Sequence, residues 1–409
     1  MEFQMALKGN AVIGQSGGPT AVINQSLVGV IEGLLRAPGN ENVDKILGAH
    51  HAVRGIINDD FIELQDTPQA KLDAIANTPS SALGSSRDKP DAEYCKKIFE
   101  VFKKRDVRYF FYIGGNDSSD TCRLVAESAQ KDGYELHAFH CPKTIDNDLV
   151  LNDHTPGFGS AAKFVAQAFI GDNLDNRALP GIKINVIMGR HAGFLTAASI
   201  AARTNEGDGP HLVYVPEVAF DEDKFLADVE RVYTKTGRCL IAVSEGIHDA
   251  DGNAIVTKLQ ENVEKDDHGN VQLSGTGALG DLLADLIKDK LGSKLGQKLR
   301  VRADTFGYLQ RCFAGCVSES DQQEARASGY KAAELALSGV VSGSIAIQRI
   351  SSSPYQVEMK KIELTDVAAK TQHLDQKYIL NGCDIDPSFM EYLSPIIGPL
   401  PKVEAFFTN

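Results

Sequence analysis

Gly114-Gly115-Asn116-Asp117-Ser118 and Pro142-Lys143-Thr144-Ile145-Asp146-Asn147-Asp148 each follow an apolar run, residues 107–113 and 135–141, that reads as a buried strand. Two loops rich in glycine and carboxylate are therefore expected together beyond the strand ends. Glycines let backbone N–H groups approach phosphate, and carboxylates hold Mg²⁺ or accept a hydroxyl proton, so the pair suits phosphoryl transfer. Extended backbone over 144–148 would turn Thr144, Asp146 and Asp148 to one side with Ile145 packed behind. Two carboxylates so placed can divide the work, one taking a hydroxyl proton and the other organising a metal. The plainer reading is an acidic turn or helix cap.

Outward from these loops, strand-like and helix-like segments alternate. Residues 11–13 form a short apolar run, and Gly14-Gln15-Ser16-Gly17-Gly18-Pro19-Thr20 leads into helical spacing over 21–35. That loop suits an anion at a helix N-terminus, yet it lacks the Gly-Lys-Ser/Thr ending of a Walker loop and the dinucleotide Gly-x-Gly-x-x-Gly spacing. A strand is expected over 45–49 and helices over 92–104 and 118–131. The rhythm restarts beyond Asp148, with helices over 161–174, 192–202 and 225–234 and strands over 183–188, 211–215 and 239–244. Residues 248–275 are polar and read as an excursion or hairpin. A helix over 279–291, the Gly- and Arg-bearing stretch 298–311, another helix, a strand over 344–350 and a less regular tail complete the chain. This order predicts an α/β protein of two Rossmann-like three-layer domains with largely parallel sheets, and an active site in the cleft between them.

The 409 residues, 43% hydrophobic and 24% charged, fit a two-domain globular enzyme. No apolar stretch reaches the roughly 20 residues that span a bilayer, and residues 1–10 lack a secretory apolar region, so a cytoplasmic protein is expected. Seven cysteines, mostly in apolar or helical contexts, read as buried thiols, and the Cys312/Cys316 pair lacks a second pair to complete a zinc site. A net charge of −13 argues against nucleic acid and anionic membranes. An anionic substrate must then meet local cations. Arg87 follows Leu83-Gly84-Ser85-Ser86, Arg190 follows the strand-ending Met188-Gly189, and Arg302 and Arg311 flank Phe306-Gly307-Tyr308-Leu309-Gln310 as a phosphate clamp. Glu245 follows another strand and could accept sugar hydroxyls. His211 and His248 read as ordinary surface or core residues.

Taken in order, these elements resemble the phosphofructokinase family, most closely its pyrophosphate-dependent branch. The resemblance implies a phosphoryl-donor domain (1–157 with about 312–385) and a fructose 6-phosphate domain (158–311 with the tail, about 386–409). It puts Asp146 in the place of the general base that takes the sugar 1-hydroxyl proton, with Lys143 and Thr144 as its catalytic neighbours. Gly18, Arg87, Gly115, Asn116 and Asp117 fall on the phosphoryl-donor side. Thr144, Asp146, Met188, Gly189, Arg190, Glu245, Arg302, Tyr308 and Arg311 fall on the sugar-phosphate side, with Lys183 as a further candidate. Asn116, Asp117 and Asp148 match the Mg²⁺ positions, and a homodimer or homotetramer is implied, because the family often recruits sugar-phosphate contacts from a neighbouring subunit. ATP-using members of the family typically carry Gly in place of Asp117 and of Lys143. Two like charges about 4 Å apart cost on the order of 4 kcal/mol at a surface-like dielectric, roughly a thousandfold in affinity, so Asp117 would turn ATP away while Lys143 receives pyrophosphate. Asn116 departs from the family's usual Asp, and Tyr308 from the His of many ATP-using members. The rival readings are an ATP-dependent 6-phosphofructokinase, a pyrophosphate enzyme that also accepts sedoheptulose 7-phosphate, a catalytically silent sugar-phosphate sensor and, more remotely, a nicotinamide-dependent dehydrogenase.

Overall fold

The computed structural model describes residues 7–259 and 277–404, so most of the excursion expected over 248–275 and the end of the tail lie outside the described residues. In chain order the strands are β1 (Gly9–Gln15), β2 (Val43–Ala49), β3 (Phe61–Glu63), β4 (Val107–Gly114), β5 (His137–Pro142), β6 (Ile182–Ile187), β7 (Leu212–Tyr214), β8 (Cys239–Ser244), β9 (Val301–Thr305), β10 (Ser342–Ser352), β11 (Tyr355–Ile362), and the two-residue β12 (Ile379–Leu380) and β13 (Asp384–Ile385). The chain divides into two compact units. One holds residues 1–145, 149–160 and 311–371, the other 146–148, 161–310 and 372–409.

The first unit is built on a seven-stranded sheet in the order β11-β10-β5-β4-β1-β2-β3. The β1–β2, β1–β4, β4–β5 and β5–β10 pairs are parallel, and the outermost strands β3 and β11 are antiparallel. The tail expected to be less regular, with alternating Val357, Met359 and Ile362, contains the edge strand β11, antiparallel to β10. β4 is apolar nearly throughout because both its faces are covered. Tyr109, Phe111 and Ile113 join one core with helices Ile23–Arg36 and Glu319–Leu337, while Phe110 and Tyr112 join the other with helices Ala92–Lys104 and Asn116–Lys131. Helix Ala92–Lys104 forms where Cys95, Ile98, Phe99 and Phe102 recur on one face and Asp91 caps Tyr94 N at 2.8 Å. Helices Ile23–Arg36 and Glu319–Leu337 cross through glycines. A Cβ on Gly29 would lie 2.1 Å from Arg326 O, and one on Gly329 would lie 2.1 Å from Ser26 O.

The second unit carries a four-stranded parallel sheet in the order β7-β8-β6-β9 over a separate core that includes Ile184, Val186, Ile241, Val243 and Leu283. The helix expected over 192–202 is a five-residue α-helix, Phe194–Ala198, continued as a 3₁₀ turn, Ser199–Ala202. The stretch 372–385, grouped by the resemblance with the phosphoryl-donor domain, belongs to this unit. Cys383 lies in its core, and Val213 N donates to Cys383 O at 2.8 Å.

Candidate active site

β1, β4 and β5 end level with one another, since Gln15 pairs with Ile113 and Gly114 with Pro142. From β1 the chain builds β2 on one side and β4 on the other, so β1 and β4 flank a topological switch point. In open parallel sheets ligands bind beyond the strand C-termini at such a point. The loops there are stitched together. Gly17 N donates to Ser86 O (2.9 Å), Ser85 Oγ to Gly17 O (2.6 Å) and Ser118 Oγ to Ser16 Oγ (3.0 Å). Gly14–Thr20, the Arg87 loop and Gly115–Ser118 are thus one surface, with Arg87 exposed at its rim.

Gly115 is the N-cap of the 16-residue helix Asn116–Lys131 and brings no side chain to occupy the first N–H groups, which suits an incoming anion. Lys143 is only 4% exposed, and its Nζ donates to Gly18 O at 2.7 Å, so the ammonium sits on the Gly17-Gly18 turn. Arg311, placed by the resemblance on the sugar-phosphate side, lies on this same turn. A Cβ on Gly18 would stand 3.1 Å from Arg311 Cζ. Asp117, 65% exposed, pairs with Lys89 at 3.0 Å, and Lys89 is a cation that sequence reading passed over. The charge of Asp117 thus has a cation of its own beside it in Lys89.

The Thr144–Asp148 loop shows the alternation expected of it. Thr144, Asp146 and Asp148 are half-exposed while Ile145, Asn147 and Leu149 are buried. Asn147 adopts a left-handed φ of 58°, a conformation that asparagine tolerates better than most residues. Thr144 N donates to Pro156 O (3.2 Å) and Thr155 Oγ1 to Thr144 O (2.8 Å), within the first unit. Within the second, Asn147 Nδ2 donates to Tyr392 Oη (2.8 Å) and Gln372 N to Asp148 O (2.7 Å), which gives the C-terminal residues a part in holding the acidic loop.

In the second unit the loops after β6, β8 and β9 carry Met188-Gly189-Arg190, Glu245 and Tyr308. Met188 and Glu245 are buried; Tyr308 is 48% exposed. Gly189, at φ 139°, fits because a Cβ there would meet Ala192 O at 2.5 Å. Glu245 N donates to Ile187 O, and Met188 N to Gln310 Oε1. Beside Arg190 is a cavity of about 540 Å³ lined also by His191, Glu217, His248 and His373. Glu217 Oε1 accepts from Gly193 N and Leu374 N, each at 2.8 Å, and its carboxyl is raised above the usual range by burial against those bonds. His191, an exposed residue of that lining, lies below the usual imidazole value through partial desolvation and the adjacent Arg190, with the Asp146 carboxylate acting in the opposite sense. No sequence signal joins His373 to His191, because 182 residues separate them, although His373 Nδ1 meets His191 O at 2.7 Å. His211 is a structural residue whose Nδ1 accepts from Leu240 N.

Lys183 and Arg302 are not gathered with these groups. They pair in register near the start of β6 and on the outer strand β9, where Arg302 is exposed and Lys183 is ion-paired with Asp304. Lys183 and Met188 are five positions apart along the chain, about 17 Å at the usual rise of a strand.

The phosphofructokinase family model matches residues 10–336. The chain is 56% identical over 392 residues to the pyrophosphate--fructose 6-phosphate 1-phosphotransferase of Rhodospirillum rubrum, covering 96% of this chain and 95% of that one. It is 39% identical to the enzyme of the same name from Halomonas elongata, covering 95% and 91%. The crystal structure of a pyrophosphate-dependent phosphofructokinase from Nitrosospira multiformis superposes with a TM-score of 0.81 at 33% identity, covering 98% of this chain and 95% of that one. With the family model spanning most of its length and with relatives alike from end to end, this chain belongs to the phosphofructokinase family.

Proposed function

We infer that this chain transfers a phosphoryl group from pyrophosphate to the 1-hydroxyl of fructose 6-phosphate, giving fructose 1,6-bisphosphate and phosphate in a reversible step of glycolysis and gluconeogenesis. The observation that carries this reading is the near-full-length likeness to a phosphotransferase of that name. Pyrophosphate is received by backbone N–H groups of the Gly14–Thr20 turn and of the Asn116 helix terminus, with Arg87, Lys143 and Arg311 as cations. Asp146 takes the proton of the sugar 1-hydroxyl as its oxygen attacks phosphorus, and Thr144 helps to orient the transferring group. Met188, Gly189, Arg190, Glu245 and Tyr308 hold the sugar phosphate. Lys183 and Arg302, at the other end of their sheet, serve a neighbouring copy in a homo-oligomer.

Among the described residues no group of three or more His, Cys, Asp or Glu is close enough to cage a metal. The oxygen donors that the resemblance offers are two carboxylates, Asp117 and Asp148, and the amide of Asn116. Carboxylate and amide oxygens are of the kind Mg²⁺ takes, usually through one or two carboxylates together with substrate phosphates and its own waters. When bound, Mg²⁺ would neutralise charge on the phosphoryl oxygens. Initial rates on fructose 6-phosphate with pyrophosphate or ATP at equal concentration test the reading. Turnover with pyrophosphate and little or none with ATP is expected, and preference for ATP would reverse the assignment of the phosphoryl donor.

A further inference from the structure

Behind the Thr144 loop, within the first unit, lies a buried ionic cluster that the mechanism above does not use. His154 has a side chain only 1% exposed, with Nδ1 2.8 Å from Asp153 Oδ2 and Nε2 2.5 Å from Glu324 Oε2. Each carboxylate is tied further. Arg349 reaches Asp153 through Nη2 (3.0 Å) and Nε (3.2 Å), and Tyr355 Oη donates to Glu324 Oε1 at 2.7 Å. The cluster thus joins the segment after the Thr144–Asp148 loop to helix Glu319–Leu337 and to both strands of the β10–β11 hairpin.

The residues that follow His154 hold Thr144. Thr155 Oγ1 donates to Thr144 O, Pro156 O accepts from Thr144 N, and Gly157 is the bridge partner of Thr144. One turn before Glu324, the buried Asp321 accepts from Gly157 N (2.8 Å), Ser160 N (2.8 Å) and Ser160 Oγ (2.6 Å). The rail that fixes Thr144 is therefore pinned at both ends by carboxylates of a single helix, through His154 at one end and through backbone N–H groups at the other. Gly157 itself, at φ 106°, would bring a Cβ within 2.7 Å of Thr20 Cγ2, so the rail also lies against the Gly14–Thr20 turn.

We propose that His154, gripped between Asp153 and Glu324, is a positioning residue for phosphoryl transfer, fixing Thr144 and the start of the loop that carries Asp146. This rests on the roles assigned to that loop above. With a carboxylate at each ring nitrogen, both nitrogens carry protons, and the imidazolium is the form the cluster is built around. Burial alone would lower its pKa, but the hydrogen bonds and charges of Asp153 and Glu324 prevail and hold it up at about 9. The titratable and charged groups facing it are Asp153 on its own segment, Glu324 and Asp321 on helix Glu319–Leu337, Arg349 on β10 and Tyr355 on β11. Loss of the proton leaves one ring nitrogen facing a carboxylate lone pair to lone pair, which loosens the rail under Thr144.

The test is steady-state kinetics with fructose 6-phosphate and pyrophosphate across about pH 6–10 for wild type, His154→Gln, Glu324→Gln, Tyr355→Phe and Asp146→Asn. His154→Gln is expected to lower kcat about 10-fold or more at neutral pH while both KM values stay within about 3-fold, the pattern of a group that acts in the transition state. Glu324→Gln should move the alkaline limb of kcat to lower pH by about one unit, since one of the two charges that stabilise the imidazolium is gone, whereas Tyr355→Phe, which removes no charge, should not move it to lower pH. A residue that only stabilises the fold would lower Tm and leave both kcat and that limb unchanged. Folded His154→Gln with normal kcat overturns the proposal. Should that variant not fold, an alkaline limb unmoved in Glu324→Gln overturns it equally. Asp146→Asn separates the two readings. Its inactivity beside a normal His154→Gln defeats the positioning role alone, whereas normal turnover in Asp146→Asn defeats the loop assignment on which both stand.

Discussion

The loops after β1, β4 and β5 and those after β6, β8 and β9 occupy equivalent places beyond parallel strands of their own sheets, yet they are completed in different ways. In the first unit the proposed phosphoryl-donor loops are sewn together by short hydrogen bonds, down to Lys143 on Gly18 O and Ser118 on Ser16, and Arg311 reaches the same turn from the segment after β9. In the second, Met188, Arg190 and Glu245 stand at the strand C-termini, but Lys183 and Arg302 sit near the other end and on the exposed edge strand. Residues about 17 Å apart along one strand cannot clamp one phosphate. The difference teaches that a motif confined to one loop stays in one site, whereas a cation far along a strand either serves another copy of the chain or serves only the surface.

Mixing two inactive variants breaks or keeps that distinction. Asp146→Asn should lose about 10²-fold or more in turnover as the missing general base, and Arg302→Ala should lose comparably in kcat/KM for fructose 6-phosphate. If Arg302 acts on a partner's site in a two-fold dimer, co-expression of the two yields heterodimers with one intact and one doubly altered site, and about a quarter of wild-type activity returns. No recovery would assign Arg302 to its own chain's surface and close the comparison in favour of two self-contained units.

A smaller effect is expected at the phosphoryl-donor loop, and the structure itself reduces it. The charge of Asp117 is partly offset by Lys89 at 3.0 Å, so its repulsion of a nucleotide phosphate falls well below the unpaired thousandfold. Asp117→Gly with Lys143→Gly should raise kcat/KM for ATP by about 10- to 100-fold, and pyrophosphate use should fall at least as far. The second loss has two sources, since Lys143→Gly removes both a cation and the bond to Gly18 O. Rates with the two donors, measured on both single variants and the double, divide these contributions. An ATP rate unchanged in the double variant would remove Asp117 and Lys143 from specificity.

What was legible in the sequence was local. The alternation of Thr144, Asp146 and Asp148 against Ile145 and Asn147 appears in the burial of those residues, although the loop reaches it through a bend at Ile145–Asp146 and a left-handed Asn147 rather than through the extended backbone expected. The parallel α/β order was readable because continuous apolar runs such as Val107–Gly114 need both faces covered. Contacts made by chain reversal were not readable. Lys89 beside Asp117, Arg311 over Gly18, Tyr392 under Asn147 and Glu324 against His154 join residues 28 to 293 apart, and nothing in the local pattern of a lysine, arginine, tyrosine or glutamate says which distant group it will meet. The tail around Val357 was read as less regular because an edge strand with no fully buried residue carries a weaker apolar signal than a buried one.

The smallest expected effect separates the two units by pH. His140 in the first unit and His211 in the second are both held down at about 4, chiefly by burial, so each contributes stability that is lost as pH falls from about 6.5 toward 4. His154 has the opposite sign. Its folded value of about 9 lies above the usual one, so its contribution is complete below about 6.5 and is lost as pH rises through 9. Acid should therefore weaken both units, while the alkaline loss from histidine falls on the first alone. Hydrogen exchange at about pH 7 and pH 9.5, corrected for intrinsic rates, should show protection falling in helix Glu319–Leu337 and holding in helix Glu222–Thr236. The accompanying drop in Tm is expected at about 2–4 °C per kcal/mol lost, the scale for units of 150–250 residues. His154→Gln should abolish the alkaline change in the first helix without altering the second. Equal alkaline loss in both would mean that the buried cluster does not set this unit's response, and the contrast between the two regions would then rest on their loops alone.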